Sequence, residues 1–436
     1  MNKVKMTTLL AGVAAMSLLI AACGGGGSAP ADQSGAAASG DQTLTVWAWD
    51  PAFNIYALKE AEKVYQKDHP DFKLDIVEIT WDDTQAKLTT LAQSQQLDQL
   101  PDIFLMQNNA FQKNVINYPD IFSDFSKAGV DYSQFPASVV AYSTIENVNY
   151  GLPFDSGTAI GAYRTDILAQ AGLKVDDFKD ITWDQLIEKG KIVKEKTGKP
   201  LLSTVAGTSD MALMMLQSTG DSMFDKEGNP TIADNATLLK ASQIYKELVS
   251  SGIMIEKNSW DEYIGSIVNG EVAGVYNGIW ISGSIQTAKD QAGKWAVTNT
   301  PAMPGIEGAT HYTANGGSSW AISSNADVEL ASDFLKSTFA GSTEFYDTIL
   351  PSSGAVANWI PAGKSEVYAK PLEFYGNDAI YAKVVEYSSK VPTNNTGVYY
   401  YEGRDAISTA FTEIVAGKDP KQALKEAHDK VEFAMK

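Results

Sequence analysis

Thr43-Leu44-Thr45-Val46-Trp47-Ala48-Trp49 sets Leu44, Val46 and Ala48 in alternation with Thr45, Trp47 and Trp49. A period of two marks a β-strand, whose successive side chains point to opposite faces. Asp50-Pro51 ends it, and Ile55, Leu58, Ala61 and Tyr65 then recur at helical spacing. Lys73 to Ile79 reads as a second strand. Trp81-Asp82-Asp83 opens a second helix with Leu88, Leu91 and Ala92 apolar, and Pro101-Asp102 leads into the run Ile103-Phe104-Leu105-Met106. Strand, helix, strand, helix, strand within about 65 residues predicts a parallel sheet covered by helices. Ligands of such sheets sit beyond the carboxyl ends of the strands. Here those ends are Trp49-Asp50, Trp81-Asp82 and Gln107-Asn108-Asn109, an aromatic and amide set without metal-ligand character.

Working outward, Tyr150-Gly151-Leu152-Pro153-Phe154-Asp155 breaks periodicity and reads as a crossover into a second α/β region. Ala159 to Tyr163 is expected as a strand and Asp166 to Ala171 as a short helix ended by Gly172. Thr182 and Gln185 have the spacing of a capping box, so a helix starts at Trp183. Phe224 to Pro230 is a turn between short strands; its acidic residues lack the alternating spacing of a calcium loop. Met211, Met214 and Met215 are expected in the core. Near the end, Ile407, Ala410, Phe411 and Ile414 form one helical face closed by Gly417, and Asp419-Pro420 caps and starts the last helix.

The beginning of the chain has a different character. Lys3 and Lys5 precede an uncharged, mostly apolar stretch from Thr7 to Ala22, about 16 residues and short of the roughly 20 that span a bilayer. Ala21-Ala22-Cys23 resembles the lipobox of bacterial lipoproteins, in which the cysteine is acylated and becomes the mature N-terminus. Residues 1–22 are then a signal peptide, Cys23 the lipidation site, and residues 23–42 a lipidated cysteine with a flexible tether spanning roughly 25 Å. The plainer alternative is an ordinary signal peptide with an incidental cysteine. Cys23 is the only cysteine in 436 residues, so it has no disulfide partner, and a lipid gives the thiol a use.

The length suggests two domains or one bilobal unit. With 44% hydrophobic and 20% charged residues, the composition is that of an ordinary globular protein. A formal charge of −19 repels nucleic acid and anionic headgroups, so neither is an expected partner and the membrane is met through the lipid alone. His69, His311 and His428 are scattered, and no zinc set can be assembled from them. Nucleophile elbow, phosphate loop and dinucleotide fingerprint are all missing from the sequence, so neither metal, cofactor nor catalytic residue is expected.

The segment Val268-Asn269-Gly270-Glu271-Val272-Ala273-Gly274-Val275-Tyr276-Asn277-Gly278-Ile279-Trp280 carries a resemblance. It is similar to the Gly-Glu, Ala, Gly-x-Trp signature of family 1 extracellular solute-binding proteins, the sugar-binding subunits of ABC importers. Thr300-Pro301-Ala302-Met303-Pro304-Gly305, Asn315-Gly316-Gly317-Ser318-Ser319-Trp320, Ala331-Ser332-Asp333-Phe334-Leu335 and Tyr400-Tyr401-Glu402-Gly403-Arg404 resemble the family in the same order. The resemblance implies an α/β, two-lobed periplasmic-binding-protein-like fold, each lobe a mainly parallel sheet flanked by helices, joined by crossing hinge strands. It implies an N-lobe of residues 43–153 plus 316–343 and a C-lobe of 154–315 plus 344–436. It further implies a monomer outside the cytoplasm, anchored to the bacterial cell membrane by Cys23, that closes on a carbohydrate and docks on an ABC permease.

Sugar rings offer apolar faces to aromatic side chains and hydroxyls to carboxylates and amides. By position in the family pattern, Trp280 and Tyr400 are implied as stacking platforms. Trp49, Asp50, Trp81, Gln107 and Asn108 are implied on the N-lobe side, Asp155 at the crossover, Gly316 and Gly317 at the return, and Arg404 beside Tyr400. Trp359 reads equally as a ligand contact or as packing. Trp47 and Trp295 are expected in the core, Trp320 reads either way, and Arg404 reads equally as a partner of Glu402 or Asp405. Several platforms favour an oligosaccharide, while Met106, where maltose-binding proteins carry a cleft aromatic, argues against a maltodextrin. A surface glycoside hydrolase and a binder of a non-sugar solute are the alternatives, the first because Asp50, Asp82 and Asp155 could flank one bond.

Overall fold

In the computed structural model, which describes residues 42–51 and 53–436, the opening alternation sorts side chains onto two faces of a sheet. The strands run in chain order β1 (Thr43–Ala48), β2 (Lys73–Glu78), β3 (Ile103–Gln107), β4 (Thr144–Ile145), β5 (Val148–Asn149) and β6 (Leu152–Asp155). They continue as β7 (Ala159–Arg164), β8 (Leu202–Val205), β9 (Met254–Lys257), β10 (Gly274–Gly278), β11 (Trp295–Thr298) and β12 (Ser318–Ile322). β1 lies between β2 and β3, parallel to both, with Val46 opposite Ile76 and Ile103. The helices Asn54–Tyr65 and Trp81–Ser94 are the crossovers. β12 then inserts antiparallel between β3 and β6, giving the order β2-β1-β3-β12-β6.

Leu44, Val46, Ile103, Leu105, Trp320 and Ile322 pack on one face of this sheet against Ile55, Leu58 and Phe334. Trp47, Phe104 and Met106 face the other way, against Leu88, Leu91 and Phe111. Trp47, Trp295 and Trp320 are all core residues. Local signals end the helices as the sequence predicts. The Thr182 hydroxyl accepts from the Gln185 amide at 3.4 Å while the Gln185 side chain accepts from Thr182 N–H at 2.9 Å. Asp419 likewise caps Pro420–Ala434, accepting from the Gln422 amide at 2.9 Å.

The second lobe departs from the expected parallel arrangement. Its three-stranded sheet, β10-β7-β11, is antiparallel throughout, and only the pair β8–β9 is parallel. β7 leads out of the crossing, and its neighbours β10 and β11 both carry the chain back towards it, which forces the opposite sense. Phe224 and Pro230 close the predicted turn through one isolated bridge, without flanking strands.

The division at residue 344 also needs correction. Phe345, Tyr346 and Ile349 of the helix Thr343–Ser353 pack into the core of the first sheet, beside Ile55 and Leu58, and Leu350 alone turns to the second. Burying that aromatic pair keeps the helix with the first lobe, so the chain crosses after it. The other two crossings lie side by side: Thr158 bridges Ala314, and the Asn315 amide donates to the Gly157 carbonyl at 2.8 Å. Side chains join the lobes as well, in one apolar cluster running from Trp47, Phe104 and Phe111 to Met214, Tyr400 and Tyr401.

Candidate functional site

Three strand and helix ends of the first lobe converge where the parallel-sheet rule puts a ligand. The side chain of Asn54 accepts from the amides of Trp49 and Asp50 at 3.2 and 3.0 Å, and Asp50 accepts from the Phe53 amide at 3.1 Å. These bonds fix the turn after β1. Thr80 caps the next helix and sets Trp81 at its first position. The rings of Trp49 and Trp81 then lie 5.4 Å apart, tilted by 59°, both half-buried. Gln107 closes β3 beside them.

The first turn of the helix Tyr400–Val415 comes from the other lobe to meet this surface. Of the consecutive tyrosines, Tyr401 rather than Tyr400 reaches across, its hydroxyl donating to Gln107 Oε1 at 3.4 Å. Tyr400 stands edge-on behind it at 5.3 Å. Burial pushes both hydroxyls far above the usual tyrosine range. The Arg404 guanidinium stacks 4.9 Å from the Tyr401 ring and also pairs with Asp405 at 3.2 Å, while Glu402 pairs with Lys113 of the first lobe at 2.9 Å.

A second group forms beside the crossing. Trp280 follows β10 and donates its indole N–H to the Asn315 carbonyl at 2.9 Å. The Asn315 amide donates to Asn277 Oδ1 at 2.9 Å, and Asn277 donates to the Tyr263 hydroxyl at 3.0 Å. Trp260, the first residue of the helix Trp260–Val268, lies 5.8 Å from Trp280. Trp260, Tyr263, Asn277 and Asn315 line, with Asp210, a small hollow of about 20 Å³. Burial raises the Asp210 carboxyl above its ordinary range, against the pull of Asn315 and Arg404.

Asn108, Asp155 and Gly317 sit in the hinge itself. Asp155 is 6% exposed and Asn108 2%. Ser318 donates to the Asp155 carboxylate, and Ser319 donates to Asn108 Oδ1 at 2.8 Å. Burial carries the Asp155 carboxyl up to about 6, against the hydrogen bonds from Ser318. Gly317 has φ +96°, and a Cβ there would lie 2.8 Å from Asn108 Nδ2. Gly316 lies under the Trp280 indole. Trp359 packs half-buried on the first core, with Ile360 N–H donating to the Gln134 carbonyl at 2.8 Å. Met106, where the maltose-binding pattern has an aromatic, is sealed in the core. Cys23 and the leader lie outside the described residues.

The structure thus gathers Trp49, Asp50, Trp81, Gln107 and Arg404 on one side and Trp280 with Gly316 on the other. Sequence reasoning missed Trp260, Tyr401, Asp210, Asn277 and Asn315. Ser259-Trp260-Asp261-Glu262 repeats the cap-Trp-Asp opening of Thr80-Trp81-Asp82-Asp83, and that echo was the available signal. It is ambiguous alone, because Thr182-Trp183-Asp184 has the same form and Trp183 is core. Among the described residues no group of three His, Cys, Asp or Glu side chains could hold a metal, and no helix is long and apolar enough to cross a membrane.

Comparison with known proteins bears on the family and the fold. The sequence profile described as "Bacterial extracellular solute-binding protein" matches residues 60–349. The chain is 36% identical to a lactose-binding protein of Rhizobium radiobacter over 387 residues, covering 88% of this chain and 91% of that protein. It is 28% identical to an arabinooligosaccharide-binding protein of Bacillus subtilis, covering 68% of this chain and 69% of that one. Among solved structures, the GacH receptor of Streptomyces glaucescens superposes with TM-score 0.75 at 17% identity, covering 89% of this chain and 96% of the receptor. An ABC-transporter-associated binding protein of B. animalis subsp. lactis, in complex with β-1,6-galactobiose, gives 0.73 at 20% identity, covering 91% and 97%. At such identities the structural likeness is one of fold.

Proposed function

The chain belongs to the family of bacterial extracellular solute-binding proteins, and from that premise we propose that it captures a sugar of two or more units between its lobes and passes it to an ABC permease. The observation that carries this reading is the similarity to the lactose-binding protein along 88% of the chain. The chemistry of the cleft supports it. Trp49, Trp81, Trp260 and Trp280 offer flat apolar surfaces, while Gln107, Asn277, Asn315, Asp210 and Arg404 offer fixed donors and acceptors. Tyr401 meets Gln107, and Glu402 meets Lys113, at the closure line. A sugar touching both lobes stabilises the closed form by its differential affinity, and the closed form is what a permease reads.

In this reading the chain is a monomeric binder and not a catalyst. Of the carboxylates that could flank a glycosidic bond, Asp155 is committed to the hinge through Ser318, which supports a binding role. The leader directs export and Cys23 carries the lipid, on the strength of the Ala21-Ala22-Cys23 pattern and the lone cysteine. A thermal-shift screen of mono-, di- and trisaccharides tests the proposal. A binder present at 100 times its dissociation constant adds about 2.7 kcal/mol of stability. A shift with sugar recovered intact is expected, lost in Trp280→Ala; no shift with any sugar, or cleavage of one, overturns the reading.

A further inference from the structure

Three Asn-Gly pairs stand in the sequence, at Asn269-Gly270, Asn277-Gly278 and Asn315-Gly316. An asparagine before glycine rearranges without an enzyme. The glycine amide gives its proton to hydroxide, its nitrogen attacks the asparagine Cγ, and the Cγ–Nδ2 bond breaks with release of ammonia. Water then opens the five-membered imide at either carbonyl, leaving aspartate or its isomer linked through the side-chain carboxyl. Covalent neighbours are always within reach of each other. Folding therefore governs the reaction through two things, whether the glycine amide is free and whether the backbone can turn.

The fold separates the three pairs. Asn277 is 5% exposed in β10, where pairing with β7 fixes the backbone, and the Gly278 amide donates to Asn277 Oδ1 at 2.9 Å. Asn269 is exposed, but it caps the end of the helix Trp260–Val268, and the Gly270 amide donates to the Ile267 carbonyl at 3.0 Å. Asn315 is half-buried in an irregular stretch and Gly316 is exposed. The Gly316 amide donates to no acceptor among the described residues. Gly316 and Gly317 follow each other at φ +78° and +96°, with no side chain to shield or stiffen the backbone.

The surroundings of Asn315 make the cleft sensitive to the product. Its side-chain amide donates to Asn277 Oδ1 at 2.9 Å and faces the Asp210 carboxyl. Aspartate at this position replaces a donor with a carboxylate that meets two acceptors. The isomer also turns the carbonyl that holds the Trp280 indole at 2.9 Å into a free carboxylate, and lengthens the crossing segment by one methylene.

We propose that Asn315-Gly316 is a site of spontaneous, hydroxide-driven deamidation, which ages the protein by dismantling the polar wall of its cleft. The modification itself is independent of the ligand; its effect on binding rests on the sugar reading above.

The full chain, held at mildly alkaline pH, is digested at intervals, and peptide mass spectrometry follows the exchange of NH2 for OH at each of the three asparagines, with the isomer counted by enzymatic methylation. Asn315 converts about tenfold faster than Asn269 or Asn277. Gly316→Ala sets a methyl group beside the amide, 3.5 Å from Trp280 Nε1, and slows conversion at Asn315 about tenfold without changing Asn269. Asn315→Asp, which carries the product charge from the start, weakens lactose binding about tenfold, and aged wild type loses lactose sites in step with conversion. Equal rates at the three positions, or an Asn315 that stays intact while a synthetic peptide of residues 311–319 converts, overturns the site. Full conversion at Asn315 with lactose binding unchanged overturns its effect on the cleft. A wild type that binds neither lactose nor an arabinooligosaccharide removes the sugar reading alone, and the peptide rates still decide the modification.

Discussion

Gly157→Ala places a methyl group where the two crossing segments touch. A Cβ at Gly157 would lie 2.3 Å from the Asn315 carbonyl oxygen and 2.8 Å from the backbone of Gly316 and Gly317, none of which can rotate away. The residue sits at φ +62°, a left-handed conformation that costs a non-glycine residue about 1–2 kcal/mol. Relieving the clash parts the segments and breaks the bond from the Asn315 amide to the Gly157 carbonyl, worth about 1 kcal/mol. Overpacking adds about 1–3 kcal/mol, for a total of about 3–6 kcal/mol. Gly172 is the control: φ is +75°, but nothing lies within 4 Å of its Cβ position. Gly172→Ala should therefore cost only the conformational part, about 1–2 kcal/mol. Denaturant unfolding followed by tryptophan fluorescence measures both. The damage also reaches the cleft, since the displaced Asn315 carbonyl holds the Trp280 indole at 2.9 Å, and sugar affinity falls with stability. Equal stability losses in the two variants would refute the reasoning.

Three further outcomes are expected. The carboxyl of Asp155, lifted by burial to about 6 from an ordinary 3.8, holds its proton in the folded state longer than in the unfolded one. Stability attached to it is present below pH 3.8 and is lost as pH rises through about 6, so Asp155→Asn gains on the wild type across that window by on the order of 2–3 kcal/mol; unfolding at pH 4 and 7.5 checks the sign. Lys113 and Glu402 pair across the lobes at 2.9 Å with both side chains about one-third exposed, so a double-mutant cycle should give a coupling of only about 0.2–1 kcal/mol, shrinking in high salt. Cys23→Ser should release the protein into the medium and abolish labelling by a fatty-acid probe, whereas retention on the membrane would argue for a different anchor.

The first lobe was legible because its strands are half of one thing and half of another. Leu44 and Val46 face one core while Trp47 faces the other, and that alternation shows in the residues themselves. The second lobe hides its topology, because every residue of Ala159–Arg164 is buried and such a run carries no direction. The cleft split along similar lines. Trp49, Trp81 and Gln107 follow from strand ends, a local property. Asp155 has the look of a ligand residue, yet its carboxylate is answered by Ser318, 163 positions away. Trp260 is open and Trp183 buried behind the same local motif, so only tertiary packing separates them. Asp210, Asn277 and Asn315 come together from three distant segments, a meeting that no spacing announces.

The central claim, that the cleft binds a sugar and releases it unchanged, is tested most directly by calorimetric titration with lactose and an arabinooligosaccharide, followed by chromatography of the recovered sugar. The structure predicts one sugar per chain, a negative heat-capacity change from covering the indole faces, and an intact ligand. No heat with any sugar of the panel, or a cleaved product, would contradict it.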